Sequence, residues 1–354
     1  MDKKIKVDPF EWLALKQLEY ERDWLKAGGD EDAVELFHSG QSLNDEEYQE
    51  LYNPRRALKF FKLSAELGYA PAMDEYACLI SSDEEYVEQD IEKAIVLLSK
   101  SIELGFLPSY SSLAGIYEES QGVDSDIQKA ADLYSVCAKE NDPVSQYFLA
   151  RILDQELGKS KDAEYWYSQA MVGSLYAAAL DLGLMYYWGR GEGTSLMPNS
   201  EPLAIDYFRA FSCFVSAYNN MDKGHKQLGD CYLYGHGVIA DTQMAIKFYE
   251  EAAAHGDSWG YECLGEIYGE GKYVPIDIAK AIEYYTKGAE LENDECMSVL
   301  GYFYYSGQME PETQVYSEYI DPEKSLYWFN LGAELGNEDC IYKIEQYKKG
   351  NWLK

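Results

Sequence analysis

The chain has 354 residues, of which 63 are acidic and 30 are basic, and its formal net charge is −33. This charge argues against binding to nucleic acid or to anionic membranes, because both would be repelled, and it favours a basic protein partner. The alternative is that the acidic residues only keep an extended protein soluble, and the composition does not choose between the two.

Seven cysteines are scattered along the chain without a Cys-x-x-Cys motif or a fixed spacing. This distribution predicts free thiols in a reducing compartment. The N-terminal residues lack the apolar stretch of a signal peptide, and no apolar run is long enough to span a membrane. We therefore expect a cytoplasmic protein.

The first predicted element is an amphipathic helix over residues 8–28, which we expect to cover the open face of the first repeat. A short helix over Asp32–His38 would pair with the helix that begins after Asn53. The last element, Asn337–Lys348, resembles a lone capping helix. The predicted parts are an N-terminal cap, a repeat array and a C-terminal cap, at residues 1–30, 31–336 and 337–354.

One pattern recurs roughly every 40 residues, as in a stacked array of helix pairs. It has Asp or Asn, a small residue four positions later, and Gly or Asn eleven positions after that. The first residue predicts an N-cap and the last predicts the left-handed residue that ends a helix. The copies are Asn53–Ala57–Gly68, Asp90–Ala94–Gly105, Asp126–Ala130–Asn141, Asp241–Ala245–Gly256 and Asp321–Ser325–Gly336, with a looser one at Asp277–Ala281. Ser200–Ala204 predicts a further helix that runs towards Asn219.

A second pattern lies between these helices: a small residue, three residues, Leu-Gly, two residues and Tyr. It begins at Ala178, Gly224, Gly260 and Cys296, with relaxed copies at Ser109 and Ser145. These offsets form one stripe of a helix. Glycine inside a helix costs roughly 1 kcal/mol relative to alanine, so the pattern predicts close contact with a neighbouring helix.

Together the two patterns resemble the Sel1-like repeat, a relative of the tetratricopeptide repeat, over roughly residues 31–345. The best copy is Gly224–Gly256, and the Lys-Ala step of the family is matched at Lys93-Ala94, Lys129-Ala130 and Lys280-Ala281. The resemblance implies an all-α, right-handed superhelical solenoid of about eight antiparallel helix pairs. It also implies a binding protein and not an enzyme.

Three connections are longer than simple turns, at residues 81–89, 189–201 and 307–320. Insertions in repeat arrays lie on one face and often take part in recognition. The last insertion contains Glu310, Glu312 and Glu318. Whether it or the concave face of the array recognises the partner stays open.

Residues that could carry chemistry are few. The four histidines, His38, His225, His236 and His255, lack the helical spacing of a metal-ligand pair. The segment Gly189-Arg190-Gly191 suggests a phosphate loop only superficially, and we interpret it as a widened turn. We therefore predict no catalytic residue, no metal and no cofactor.

The candidate partner-binding residues are those that the second pattern turns away from the buried stripe, towards the concave face. They are Asp154, Asp181, Tyr187, Asp230, Glu262, Glu266, Tyr302 and Tyr305. Acids interleaved with tyrosines suit Arg- and Lys-rich partners. Replacing Asp230 and Glu266 by lysine should then weaken binding without changing stability.

Two functions fit this surface. The first is a monomeric scaffold or adaptor that binds a basic protein reversibly. The alternative is a bacterial immunity protein that neutralises a basic, nuclease-like toxin, since acidic inhibitors associate quickly with basic partners. The sequence does not separate these functions.

Overall fold

The structure is a computed structural model that describes residues 9–44, 53–82, 86–119, 126–191, 201–308 and 315–349. These residues are helical or lie in turns, apart from one bridge between Arg190 and Leu203, so the predicted all-α class is confirmed. The α-helices are α1 (Pro9–Lys26), α2 (Glu31–Asn44), α3 (Pro54–Glu66), α4 (Ala70–Ser81), α5 (Ile91–Glu103), α6 (Ser109–Glu118), α7 (Ile127–Lys139), α8 (Pro143–Gln155), α9 (Ser160–Val172), α10 (Ala177–Trp188), α11 (Tyr207–Met221), α12 (His225–Tyr234), α13 (Thr242–Ala254), α14 (Ser258–Glu270), α15 (Ile278–Glu290), α16 (Asp294–Ser306), α17 (Pro322–Glu334) and α18 (Glu338–Lys348). A 3-10 helix spans Ser317–Tyr319.

The helices of the first pattern begin and end at the predicted residues. The Asp90 carboxylate accepts a hydrogen bond of 3.0 Å from the backbone N–H of Lys93 and so caps α5. Gly105, with φ of 89°, follows the last turn of the same helix. Equivalent side-chain caps begin α3, α7, α13, α15 and α17. Local sequence therefore sets the length of each of these helices.

The chain folds as two compact units, Met1–Ile205 and Asp206–Lys354. In the first unit α2 packs on α3, α4 on α5, α6 on α7 and α8 on α9, and α10 packs on α9. Each second helix also packs on the first helix of the next pair. A hydrophobic core that includes Phe37, Phe61, Met73 and Leu98 runs through these helices.

The second unit repeats this arrangement with the pairs α12–α13, α14–α15 and α16–α17, flanked by α11 and α18. The first helices of successive pairs also approach each other directly, α4 with α6 in the first unit and α16 with α18 in the second. We call the partly exposed surface of α4, α6, α8 and α10 the inner face of the first unit. The corresponding surface of α12, α14, α16 and α18 is the inner face of the second.

The glycines of the Leu-Gly step allow the close helix contact that the sequence predicts. A Cβ placed on Gly265 would lie 2.8 Å from ring atoms of Tyr285, and one placed on Gly301 would lie 2.7 Å from the ring of Phe329. Each aromatic side chain is buried and belongs to the second helix of the same pair. The helix-propensity cost of these glycines is therefore offset by aromatic packing.

The Lys-Ala step has a structural role of its own. The Lys280 ammonium group donates a 2.6 Å hydrogen bond to the hydroxyl of Tyr268 and lies 3.8 Å from the centre of its ring. Lys129 lies 3.9 Å from the ring centre of Tyr117 in the same way. These cation–π contacts join the two helices of a pair.

Helix α1 does more than cover the first repeat. The indole N–H of Trp12 donates a 3.0 Å hydrogen bond to the backbone carbonyl of Glu140, in the turn between α7 and α8. The ring of Tyr20 lies edge-on to Phe106, at 5.5 Å, in the turn between α5 and α6. Trp24 packs in the same way on Tyr69, between α3 and α4, at 5.8 Å. The helix thus crosses three successive turns of the first unit.

Two predicted helix bounds are wrong. Ala204 is not helical, and α11 begins at Tyr207 because the Asp206 carboxylate accepts a hydrogen bond from the N–H of Arg209. The helix ends at Met221, where Asp222 adopts a left-handed conformation with φ of 53°. Helix α2 extends to Asn44, beyond the predicted end at His38.

Candidate protein-binding face

The eight candidate residues lie on α8, α12, α14 and α16, which are the first helices of their pairs, and on α10, which packs on α9. Their side chains do not form one exposed acidic surface. Three are buried and occupied by neighbours, whereas five keep contact with solvent. The segments 192–200 and 309–314, which hold Glu310, Glu312 and most of two insertions, lie outside the described residues. Glu318 is exposed next to them.

Asp154 is buried and binds an arginine of its own chain. The residue is 2% exposed, and its two carboxylate oxygens accept hydrogen bonds from Arg190 Nε at 2.8 Å and Nη2 at 2.9 Å. Arg190 also donates to the carbonyl of Gly189. The prediction that Asp154 points outward is therefore wrong, and the glycine-flanked arginine of the widened turn forms a buried ion pair.

Asp230 is likewise satisfied within the chain. It is 8% exposed, and its carboxylate accepts hydrogen bonds from the hydroxyl of Tyr249 at 2.7 Å and from the Lys226 ammonium group at 2.8 Å. Burial alone would lower the pKa of Lys226, but Asp230 raises it above its usual range. The prediction that Asp230 lies outside the core is therefore wrong, and we now expect its replacement by lysine to reduce stability.

Tyr187 is also buried. It is 7% exposed, and its ring lies edge-on to that of Trp188 with centres 4.9 Å apart. The neighbouring Trp188 is exposed instead. The outward direction predicted for Tyr187 is therefore wrong, because the helix turns this position into the core of the first unit.

Three of the candidate acids remain partly exposed. Burial raises the pKa of Asp181, although the hydroxyl of Tyr147 and the charge of Arg151 partly offset the rise. Burial also raises the pKa of Glu262, whose carboxylate accepts a hydrogen bond of 2.9 Å from the side-chain amide of Asn293. Glu266 is half-buried on the same helix as Glu262. These acids belong to the inner faces.

Tyr302 and Tyr305 already bind a cation. The Lys343 ammonium group, on α18, lies 4.8 Å from the ring centre of Tyr302 and 4.6 Å from that of Tyr305. The predicted cation–π chemistry of these tyrosines is therefore real, but the cation is supplied by the same chain.

The most acidic local environment of the described inner faces was not predicted. Asp74 and Glu75 are adjacent on α4 and partly buried. Burial raises the pKa of Asp74 to about 6, against a smaller opposing effect of the Ser109 and Ser112 hydroxyls. Burial also raises the pKa of Glu75 to about 7, and the charge of Asp74 adds to that rise.

No cation of the described residues pairs with this acidic couple. Neither side chain forms an ion pair there, and Oδ1 of Asp74 is buried without a hydrogen-bond partner. One helical turn onward lies Cys78, an exposed residue. Desolvation of its sulfur atom by the neighbouring protein raises the pKa of the thiol well above the usual range, and Asp74 and Glu75 raise it further.

This couple lies in a helix where the sequence signal is weak. The Leu-Gly step is replaced in α4 by Tyr76-Ala77, so the second pattern does not identify the helix or its outward positions. Helical periodicity could have identified α4, because the buried residues Ala70, Met73 and Ala77 are spaced three and four positions apart.

The comparisons with known proteins identify the class of this fold. The Sel1 repeat family model matches residues 48–69, 70–106, 108–142, 177–213, 223–257, 264–293 and 294–337. These matches cover more than half of the chain, so the chain belongs to the Sel1 repeat family. Such repeats form a scaffold for protein–protein interaction. Helices α8 and α9 form a further pair between two of the matched segments.

Solved structures share the fold. The crystal structure of a protective antigen of uropathogenic Escherichia coli that displays an SLR fold is 20% identical, with a TM-score of 0.65 over 94% of this chain and 67% of that chain. A Sel1 repeat protein from Oxalobacter formigenes is 21% identical, with a TM-score of 0.62 over 97% and 94%. An immunity protein from Pseudomonas aeruginosa is 16% identical over 77% and 83%, with a TM-score of 0.30. That likeness carries no argument, so the immunity function stays a prediction.

None of the described helices combines the length and the apolar composition that crossing a bilayer requires.

Proposed function

We propose that this Sel1 repeat protein is a non-catalytic scaffold that binds a basic segment of a partner protein, with Asp74 and Glu75 on the inner face of the first unit as its anchor. One observation carries the proposal: two adjacent carboxylates are drawn out of bulk water and lack an ion pair among the described residues. Asp181 is a further acid on the same inner face, and Glu262 and Glu266 are acids on the inner face of the second unit.

The energetic reason is desolvation. A carboxylate removed from water is disfavoured in its charged form, as the raised pKa values of Asp74 and Glu75 indicate. A guanidinium or ammonium group placed against the exposed part of the two side chains would restore the charged form. Arginine suits this role best because its planar fork can reach two carboxylate oxygens at once.

Other acids of this inner face are already paired. Glu118, the last residue of α6, is engaged by the Arg151 guanidinium and by the hydroxyl of Tyr134, at 3.1 Å for the latter. Asp154 on α8 is paired with Arg190. Asp74 and Glu75 differ from these acids because no ion pair is formed with them among the described residues.

The test compares two variants of equal net charge. Asp74→Asn with Glu75→Gln removes the couple, whereas Glu92→Gln with Glu103→Gln removes two exposed acids of α5. Fluorescence anisotropy with a labelled arginine-rich peptide should show binding that weakens from about 50 to about 500 mM salt, as expected for charged surfaces.

The first variant should weaken that binding about tenfold or more, as loss of a desolvated charge pair does, and the control should change it less than twofold. Equal weakening in both variants would mean that only overall charge matters. No effect in either variant would remove the couple from the proposal altogether.

A further inference from the structure

Two histidines and one aspartate converge in the second unit. Nε2 of His225 lies 3.1 Å from Oδ1 of Asp222, and Nε2 of His255 lies 2.8 Å from Oδ2 of the same carboxylate. The two imidazole rings are stacked, with centres 4.6 Å apart and planes inclined by 23°. The three ligand atoms lie within 4.8 Å of one another.

The fold fixes this convergence. Asp222 ends α11 in the left-handed conformation, His225 is the first residue of α12, and His255 caps the end of α13. Because α12 and α13 are antiparallel, the start of the first meets the end of the second. His225 is buried, and its ring lies edge-on to Tyr218 with centres 5.3 Å apart. The side chains of Asp222 and His255 are exposed, so one side of the cluster is open to solvent.

The hydrogen bonding of His255 directs one ring nitrogen at the carboxylate. Its Nδ1 lies 2.7 Å from the backbone carbonyl of Glu251, which only an N–H donor can satisfy. In the neutral ring Nε2 therefore carries a lone pair, and it faces a carboxylate oxygen that is also an acceptor. Two acceptors at 2.8 Å need a proton or a metal ion between them. A histidine held by a backbone carbonyl through its other nitrogen is the usual arrangement of a metal ligand.

We propose that Asp222, His225 and His255 form a binding site for a divalent transition-metal ion such as Zn²⁺. A proton could satisfy the contact of one ring, but charging both stacked rings would place two positive charges side by side. A single divalent ion satisfies both Nε2 atoms and the carboxylate together. Two imidazoles and one carboxylate are a known ligand set for Zn²⁺, which leaves a fourth position for water.

The required adjustments are small. Tetrahedral Zn²⁺ with bonds of 2.0–2.2 Å separates its ligand atoms by about 3.4 Å, slightly more than the two nitrogen–oxygen distances seen here. The exposed Asp222 and His255 can move apart by that amount. The Glu251 carboxylate adds negative charge near His255, although its Oε1 also lies 3.6 Å from Nζ of Lys247. The local field therefore favours a cation.

The test is titration of the metal-free protein with Zn²⁺ by calorimetry, and with Co²⁺ by visible absorption. We expect one ion per chain and an increase in melting temperature, because the ion binds only the folded state. The Co²⁺ spectrum should show d–d bands without a thiolate charge-transfer band, which separates this site from the cysteines. His255→Gln and Asp222→Asn should each weaken Zn²⁺ binding at least tenfold. Asparagine also tolerates the left-handed conformation of position 222, so the fold is kept.

His38→Ala is the matched control. His38 Nε2 lies 3.0 Å from Glu21, but in a pair with one histidine only. This variant should bind Zn²⁺ as the wild type does. The proposal fails if Zn²⁺ does not bind saturably, if His255→Gln and Asp222→Asn bind normally, or if His38→Ala weakens binding as much as they do.

Discussion

Arg190 holds Asp154 by two parallel hydrogen bonds in the interior of the first unit, where the two residues are 8% and 2% exposed. The arginine belongs to the turn after α10, and the aspartate belongs to α8. The pair therefore ties a widened turn to the helix pair before it. The sequence placed Arg190 in a widened turn and Asp154 on a binding face, but the two residues form one structural contact.

Removing the arginine should be costly. Arg190→Ala leaves Asp154 buried without its counter-ion, and loss of one partner of a buried pair costs about 3–5 kcal/mol of unfolding free energy. Arg209→Ala is the control, because its 3.4 Å ion pair with Asp206 is largely exposed and should contribute less than about 1 kcal/mol. Urea unfolding followed by tryptophan fluorescence measures both. Equal losses of unfolding free energy would mean that the buried ion pair contributes no more to stability than the exposed one.

The Leu-Gly step should not accept a methyl group. Gly265→Ala brings its Cβ within 2.8 Å of the Tyr285 ring, and overpacking of this kind costs about 1–3 kcal/mol. Gly115→Ala is the matched change, since the nearest atom to its Cβ would be the Tyr134 hydroxyl oxygen at 3.7 Å. It should leave stability unchanged or raise it by up to about 1 kcal/mol through helix propensity. A stable Gly265→Ala protein would show that the helices do not pack this closely.

The acidic couple should make stability fall as pH rises. The pKa values of Asp74 and Glu75 are raised to about 6 and about 7, so between about pH 4 and 7 the native state holds protons that the unfolded state has lost. The stabilisation from these carboxyl groups is present below their unfolded pKa values and is lost as pH rises through the folded ones.

Asp74→Asn with Glu75→Gln should therefore be more stable than wild type at pH 8, by about 2 kcal/mol. The shifts alone would give more, but both side chains keep some contact with water. At pH 4 the variant and the wild type should be nearly equal. Chemical unfolding across this range checks the sign, and a difference that does not depend on pH would contradict it.

The reactivity of the Cys78 thiol depends on the charges of Asp74 and Glu75, so it tests the acidic couple without a binding partner. Cys78 is the exposed cysteine of the chain, yet the pKa of its thiol is raised, first by desolvation of the sulfur atom and then by Asp74 and Glu75. Alkylation by iodoacetamide at pH 8 should therefore be slower than for a free cysteine, because the thiolate is the nucleophile. Neutralising the acidic couple should speed the reaction several-fold. An unchanged rate, with modification at residue 78 confirmed by mass spectrometry, would show that the carboxylates are not charged next to it.

The fold could be predicted largely because it depends on local signals. Asp90 and Gly105 begin and end a helix through groups a few residues apart, and such spacing is visible in a single sequence. The start of α11 was missed because Ser200–Ala204 imitates the pattern that Asp206 actually completes. A local sequence pattern does not show which of two nearby residues, Ser200 or Asp206, is the N-cap of the helix.

The binding face was predicted less well because the exposure of a side chain depends on neighbouring helices as well as on its own helix. Helical periodicity predicted that Asp230 points outward, but the hydroxyl of Tyr249, on the next helix, reaches its carboxylate and helps to bury it. Lys226, one turn earlier on the same helix, forms the second contact. The histidine cluster was missed for a related reason. His225 and His255 are far from the spacing of a helical pair, and they meet because antiparallel helices bring the start of one to the end of the next.

The contacts of α1 with three successive turns change how the first unit should unfold. In a simple array each repeat touches only its neighbours, so unfolding can begin at an end and proceed one repeat at a time. Trp12, Tyr20 and Trp24 instead join α1 to three successive turns. Unfolding any one of these repeats removes a contact of α1 and so weakens the packing of α1 on the other two. The three repeats should therefore unfold as a single cooperative unit. Amide protons of α3 to α7 should therefore exchange with one shared opening free energy, in place of a gradient that rises away from the N-terminal end.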